Sequence, residues 1–135
     1  PHVNQVEANP LHQQVEAQKN MQKHAVQMEA WAPFGEGRSN IFHNPVLGEI
    51  AERHGKSIAQ VILRWLIQRD IVALAKSTHA ERMKENMEIF DFQLSEEDLE
   101  SIGRLDTKSS LFFNHQTPEA VDMFVSLIQQ RKENF

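Results

Sequence analysis

Apolar and polar residues alternate without a break between positions 26 and 32. Val26, Met28, Ala30 and Ala32 fall on one side, and Gln27, Glu29 and Trp31 on the other. A period of two predicts a strand with one core face and one polar face. Before it, Val3, Asn4, Gln5, Val6, Glu7 and Ala8 form an extended run stopped by Asn9-Pro10. Residues 11–24 read as a weakly amphipathic helix, with Leu11, Val15 and Met21 sparse among Gln, Glu and Lys. Residues 33–40, with Gly35, Gly37, Ser39 and Asn40, read as a loop.

Start and stop signals then multiply. Asn44-Pro45 supplies an N-cap and a first-position proline. Leu47, Ile50, Ala51 and His54 follow at helical spacing, and Gly55 closes the helix. Ser57 with Gln60 makes a capping box ahead of an apolar stripe of Ile58, Val61, Ile62, Trp65 and Leu66. Residues 71–75 are apolar throughout, as in a parallel strand buried on both faces. Thr78 with Glu81 predicts a capped helix to about Phe90, and Ser95 with Asp98 another to about Leu105. Past Leu111-Phe112-Phe113, Thr117-Pro118 opens a last helix with Val121, Phe124, Val125 and Ile128 inward.

Strands alternating with helices predict an α/β fold around a parallel sheet. Three strands are few for such a sheet, since both edges and the polar strand face stay open. The pattern fits part of a larger fold. Among the 135 residues, 14 Lys+Arg stand against 19 Asp+Glu for a net charge of −5, which argues against a nucleic-acid backbone as main partner. The absence of cysteine removes disulfides and thiolate chemistry. The longest apolar run, residues 71–75, falls far short of the ~20 residues of a membrane span. With no leader pattern and a start on Pro1, the expectation is a cytoplasmic piece of a longer chain.

The densest chemistry lies in Lys76-Ser77-Thr78-His79-Ala80-Glu81-Arg82. There a strand end, a helix start, two hydroxyls and two cations converge, which is what a phosphate needs. Arg82, Glu85 and Asn86 share a helix face one turn on. Spacing alone also allows an ordinary capped helix with solvated charges. Gly35-Glu36-Gly37 is no dinucleotide fingerprint, because the third glycine is missing. The seven histidines (His2, His12, His24, His43, His54, His79 and His115) lack metal spacing. Glu7 and Glu29, on separate strands, read as a carboxylate pair or as interior groups satisfied by neighbours. Ser39 and Ser77 lack the neighbours of a nucleophilic triad. Trp31, at a strand end on the polar face, suits either packing or stacking on a planar ring.

These segments together resemble the C-terminal part of the aldo-keto reductases. The likeness runs from Val3-Asn4-Gln5-Val6-Glu7-Ala8-Asn9-Pro10 through Ala30-Trp31-Ala32-Pro33-Phe34-Gly35. It continues in Gly55-Lys56-Ser57-Ile58-Ala59-Gln60, in Ala75-Lys76-Ser77-Thr78 with Arg82, Glu85 and Asn86, and in Ile89-Phe90-Asp91-Phe92-Gln93-Leu94-Ser95. It is strongest to bacterial members named for diketogluconate or methylglyoxal reduction.

The resemblance implies a (β/α)8 TIM barrel that reduces aldehydes and ketones with NADPH. This chain would supply strands six to eight and the following helices over residues 1–105, with a terminal loop and helix over 106–135. Gln5 would bind the nicotinamide carboxamide, and Trp31 would stack on its ring, at a position more often tyrosine. Ala32, Pro33, Phe34 and Gly35 would follow the pyrophosphate. Lys76, Ser77, Thr78 and Arg82 would clamp the 2′-phosphate, and Glu85 and Asn86 the adenine. Ala75 departs from the family's proline, and His79 sits at a variable position. The family's catalytic tyrosine, lysine, aspartate and histidine belong to earlier strands, and this chain has no tyrosine. It is therefore expected to hold much of the cofactor site, no catalytic residue and no metal, and to be inactive alone. A non-catalytic nucleotide-binding module of the same shape is the alternative. The open sheet would need the missing half, or a second copy, to cover it.

Overall fold

The computed structural model describes residues 1–114 and 117–133. Strands β1 (Val3–Glu7), β2 (Gln27–Trp31) and β3 (Val72–Ala73) form one parallel sheet in that order. Helix α1 (Val15–Lys23) joins β1 to β2. A 3-10 segment (Gly35–His43), α2 (Pro45–His54) and α3 (Ile58–Gln68) join β2 to β3. Helices α4 (Ala80–Met87), α5 (Glu96–Gly103) and α6 (Pro118–Glu133) follow. The expected α/β alternation is present. No helix among the described residues is long and apolar enough to cross a membrane.

Register divides the sheet into two unlike faces. Gln5 lies opposite Glu29, Glu7 opposite Trp31 and Glu29 opposite Val72, so these residues share one side. On the other side Met28 and Ala30 are buried against Leu47 and Ile50 of α2 and Val61, Ile62, Trp65 and Leu66 of α3. Both helices start and stop as their sequence predicts. Asn44 Oδ1 accepts from the Val46 and Leu47 N–H groups at 3.1 and 3.2 Å, and Gly55 takes the left-handed φ of 62° that ends α2. The Ser57–Gln60 and Ser95–Asp98 capping boxes are both closed. Buried Asp98 also accepts from Arg53 and from His54 Nε2, the latter at 2.7 Å, which ties α5 to the end of α2. Burial pushes the Asp98 carboxyl up. The bonds from His54, Ser95 and Arg53 outweigh it and leave the group at about 2, below its ordinary 3.8.

Several expectations need correction. The strand expected over residues 71–75 shrinks to Val72–Ala73, and only its neighbour Ile71 is fully buried. Val72 and Leu74 are both 41% exposed, so this side of the sheet is left open at β3. Helix α1 begins at Val15 rather than near Leu11. Asn9 Oδ1 takes the Leu11 and His12 N–H groups at 3.0 and 3.1 Å and holds the chain in a turn. Residues 33–40 enter 3-10 turns instead of an open loop, broken by left-handed Glu36, Gly37, Ser39 and Asn40. The Thr78 cap does not form. Ser77 Oγ accepts the His79 N–H at 3.1 Å, α4 starts at Ala80 and ends at Met87, and Phe90 is exposed beyond it. On α6, Val121, Phe124, Val125 and Ile128 are exposed rather than inward; the helix meets the body at buried Ala120 and through the Phe124 ring, 5.3 Å from that of Phe113. His115 lies outside the described residues.

Candidate functional site

At the end of β3 the chain passes through Lys76, Ser77 and Thr78 into α4, and a groove of about 580 Å³ opens there. Lys76, Ser77, Thr78 and His79 line it from the connection, and Arg82, Glu85 and Asn86 from one face of α4. Ser57, Ile58 and Ala59, the first turn of α3, form the opposite wall, with Phe34 and Phe42 beside them. The rings of Phe34 and Phe42 sit 5.6 Å apart. Two helix starts therefore face one space, each with N–H groups that lack intrahelical partners. Lys76 and Arg82 are exposed, and neither joins an ion pair among the described residues.

Helix α4 buries none of its residues, so apolar packing does not fix it. Polar tethers from the α3 side do. Gln60 Nε2 donates to the Glu85 and Glu88 carbonyls at 3.0 and 3.2 Å, while its Oε1 takes the Ser57 N–H. Lys56 Nζ donates to the Glu88 carbonyl at 3.1 Å and to Asp91 Oδ1 at 2.7 Å. Arg64 Nη1 reaches the Ile89 carbonyl at 3.3 Å. Lys56 also holds the Asp91 carboxyl below its ordinary range.

The structure thus gathers Phe34, Lys76, Ser77, Thr78, Arg82, Glu85 and Asn86 into one groove. Gln5 and Trp31 stand apart, on the polar sheet face. Ala32, at a left-handed φ of 49°, and buried Pro33 and Gly35 belong to the connection from Trp31 to Phe34. Phe42, Ser57, Ile58 and Ala59 were not among the candidates, and His79, in the Lys76–Arg82 run but given no role of its own, joins the lining. The Ser57 capping box after Gly55 was the available signal for the α3 wall. Nothing local marked Phe42, whose place depends on the left-handed run before it. Glu7 has partners other than Glu29: it accepts from Ser110 Oγ and from the Leu111 N–H. No group of three or more His, Cys, Asp or Glu among the described residues is arranged to hold a metal ion.

A groove with two cations, hydroxyls and two helix starts suits a dianionic phosphate. The amide and carboxylate of Asn86 and Glu85 add acceptors and donors for a heterocycle edge.

The family model described as "Aldo/keto reductase family" matches residues 1–107. A curated "9,11-endoperoxide prostaglandin H2 reductase" of Trypanosoma cruzi (strain CL Brener) is 46% identical over 106 residues, covering 78% of this chain and 38% of the relative. A "Glyoxal reductase" of Bacillus subtilis (strain 168) is 46% identical over 105 residues, covering 78% and 37%. An aldo-keto reductase of the silkworm Bombyx mori, solved complexed with NADPH, superimposes with a TM-score of 0.77 at 33% identity, covering 84% of this chain and 37% of that one. The chain spans well under half the length of each.

Proposed function

The chain belongs to the aldo/keto reductase family, and on that premise we propose that it is the C-terminal part of an NADPH-dependent carbonyl reductase. β1, β2 and β3 are then the sixth to eighth strands of a (β/α)8 barrel. The remaining strands pair with the open edges of β1 and β3 and cover the polar face. The groove carries this reading: Lys76 and Arg82 meet the hydroxyls of Ser77 and Thr78 and the starts of α3 and α4 in one place.

In this reading Lys76, Ser77, Thr78 and Arg82 hold the 2′-phosphate of NADPH, and Glu85 and Asn86 the adenine edge. The 32–35 connection passes beside the pyrophosphate. Gln5 holds the carboxamide, and Trp31 orients the nicotinamide ring by stacking. When bound, the reduced nicotinamide supplies hydride to a carbonyl carbon. The part of these residues is anchorage: binding at the adenosine end fixes the position of the ring at the other. The chain has no tyrosine, so the proton for the carbonyl oxygen comes from a residue outside these 135.

Titration calorimetry on the complete protein tests the reading with NADPH, NADH and 2′,5′-ADP. NADPH should bind at least about tenfold tighter than NADH, with 2′,5′-ADP competing for the same site. Equal affinity for NADPH and NADH removes the phosphate clamp.

A further inference from the structure

Glu7 ends β1 on the polar face of the sheet and is only 3% exposed. Donors surround its carboxyl: Ser110 Oγ, the Leu111 N–H at 2.9 Å and Asn9 Nδ2 at 3.4 Å. Ser110 Oγ in turn accepts from the Phe112 and Phe113 N–H groups at 3.0 and 3.1 Å. The hydroxyl's single proton and its lone pairs are all engaged. One carboxyl therefore fixes a whole turn that lies 103 residues away in sequence.

That turn rests on Trp31. The Phe112 and Trp31 rings lie 4.8 Å apart with their planes at 54°. Arg38 closes the far side, its guanidinium 4.3 Å from the Phe112 ring centre and its Nη1 donating to the Leu111 carbonyl at 3.1 Å. Leu111 approaches Gly35 so closely that a Cβ there would lie 2.7 Å from Leu111 Cδ1, and the Gly35 φ of +56° is itself one that glycine favours. Glu7 and Trp31 are register partners, so the anchor and the ring stand side by side.

We infer that Glu7 is a positioning residue: it latches residues 110–113 onto the sheet so that Phe112 fixes the ring plane of Trp31. The consequence for ligand binding rests on the reading above, in which Trp31 stacks on the nicotinamide. A ring held in place is a preformed platform, and forming it costs no side-chain ordering when the ligand arrives. The groove at Lys76 and Arg82 is a separate locus, so the adenosine end of the cofactor does not sense the latch.

Glu7→Gln keeps the shape but turns an NH2 group towards donors. In the complete protein it should speed amide exchange at Leu111, Phe112 and Phe113 by about tenfold or more, while α3 amides stay protected. It should weaken NADP+ several-fold and leave 2′,5′-ADP unchanged. Phe112→Ala should cause the same NADP+ loss, with no further loss in the double variant. Ser110→Ala breaks the latch from the tail side and gives the same pattern if Glu7→Gln fails to fold. Unchanged exchange at residues 111–113 overturns the latch, and so does a parallel loss of 2′,5′-ADP affinity, which marks a merely structural group. Should the unaltered protein bind neither nucleotide, the cofactor reading falls, and the exchange result alone upholds or overturns the latch.

Discussion

Helices α3 and α4 face each other across the groove and are held by opposite means. α3 buries Val61, Ile62, Leu63, Trp65 and Leu66, and its capping box defines its first turn. α4 buries nothing and hangs from Gln60, Lys56 and Arg64 by hydrogen bonds to the carbonyls at and just beyond its C-terminal end. The difference separates two tasks. A core-anchored wall gives the groove a fixed frame, while the other wall presents an exposed Arg82 and half-buried Glu85 and Asn86, the side chains that meet the ligand in the proposed reading. Substitutions in α3 should therefore act on stability, and substitutions in α4 on binding.

The largest effect tests the first half of that contrast. Trp65 is 2% exposed, with its ring under the Arg69 guanidinium at 4.5 Å. Trp65→Ala should cost about 3–5 kcal/mol in urea unfolding of the complete protein. Met87→Ala on α4, where the side chain is 71% exposed, should stay within about 0.5 kcal/mol. Comparable losses at both positions would show that α4 is packed against something the described residues do not include.

Next in size is Arg82→Ala. A charge-assisted bond to phosphate contributes about 1.5–3 kcal/mol. NADPH should thus bind roughly 10–100-fold more weakly, with NADH little changed and the melting curve unmoved. Equal losses for both cofactors would make Arg82 a structural residue and erase the contrast with α3.

The frame itself has an acid limit at Asp98. Its native carboxyl ionises at about 2 against an ordinary 3.8, so between these values the unfolded chain binds more protons than the native one. The Asp98 contribution, about 2 kcal/mol, is complete above about pH 5 and drains away as the pH falls towards 2. Asp98→Asn should flatten that part of the stability–pH curve. A curve of unchanged slope would mean that Arg53 and His54 do not hold the carboxylate.

Sequence spoke clearly for most features that were local. The Asn44, Ser57 and Ser95 caps, the Gly55 stop and the two-faced alternation of β2 all depend on neighbours within a turn, and each stands in the structure. The groove residues from Lys76 to Asn86 were legible because a strand end, a short connection and one helix face fall within eleven positions. What depended on distant partners was misread. Val72 and Leu74 look like core, and their exposure follows from what lies across the sheet rather than from their own chemistry. Val121, Phe124, Val125 and Ile128 form a regular apolar stripe that stays exposed, although the Phe124 ring meets that of Phe113. The Thr78 cap gave way to a Ser77 Oγ that accepts the His79 N–H, a choice of turn geometry within a few residues that spacing does not decide.

The smallest expected effect is the sharpest on the comparison, because Gln60 belongs to both helices. Its Oε1 closes the α3 capping box and its Nε2 carries two α4-side carbonyls, all from a side chain of a buried residue. Gln60→Met keeps the length and removes every polar contact. The carbonyls of Glu85 and Glu88 can turn to water, since α4 is a surface helix, and the Ser57 N–H can do the same. The global cost should then be only about 1 kcal/mol. Locally the loss is larger in consequence: amide exchange across α4 should quicken while α3 stays protected, and NADPH affinity should drop several-fold with Arg82 still present. If α3 and α4 instead lose protection together, the two walls of the groove are one cooperative unit, and the division between frame and binding wall does not hold.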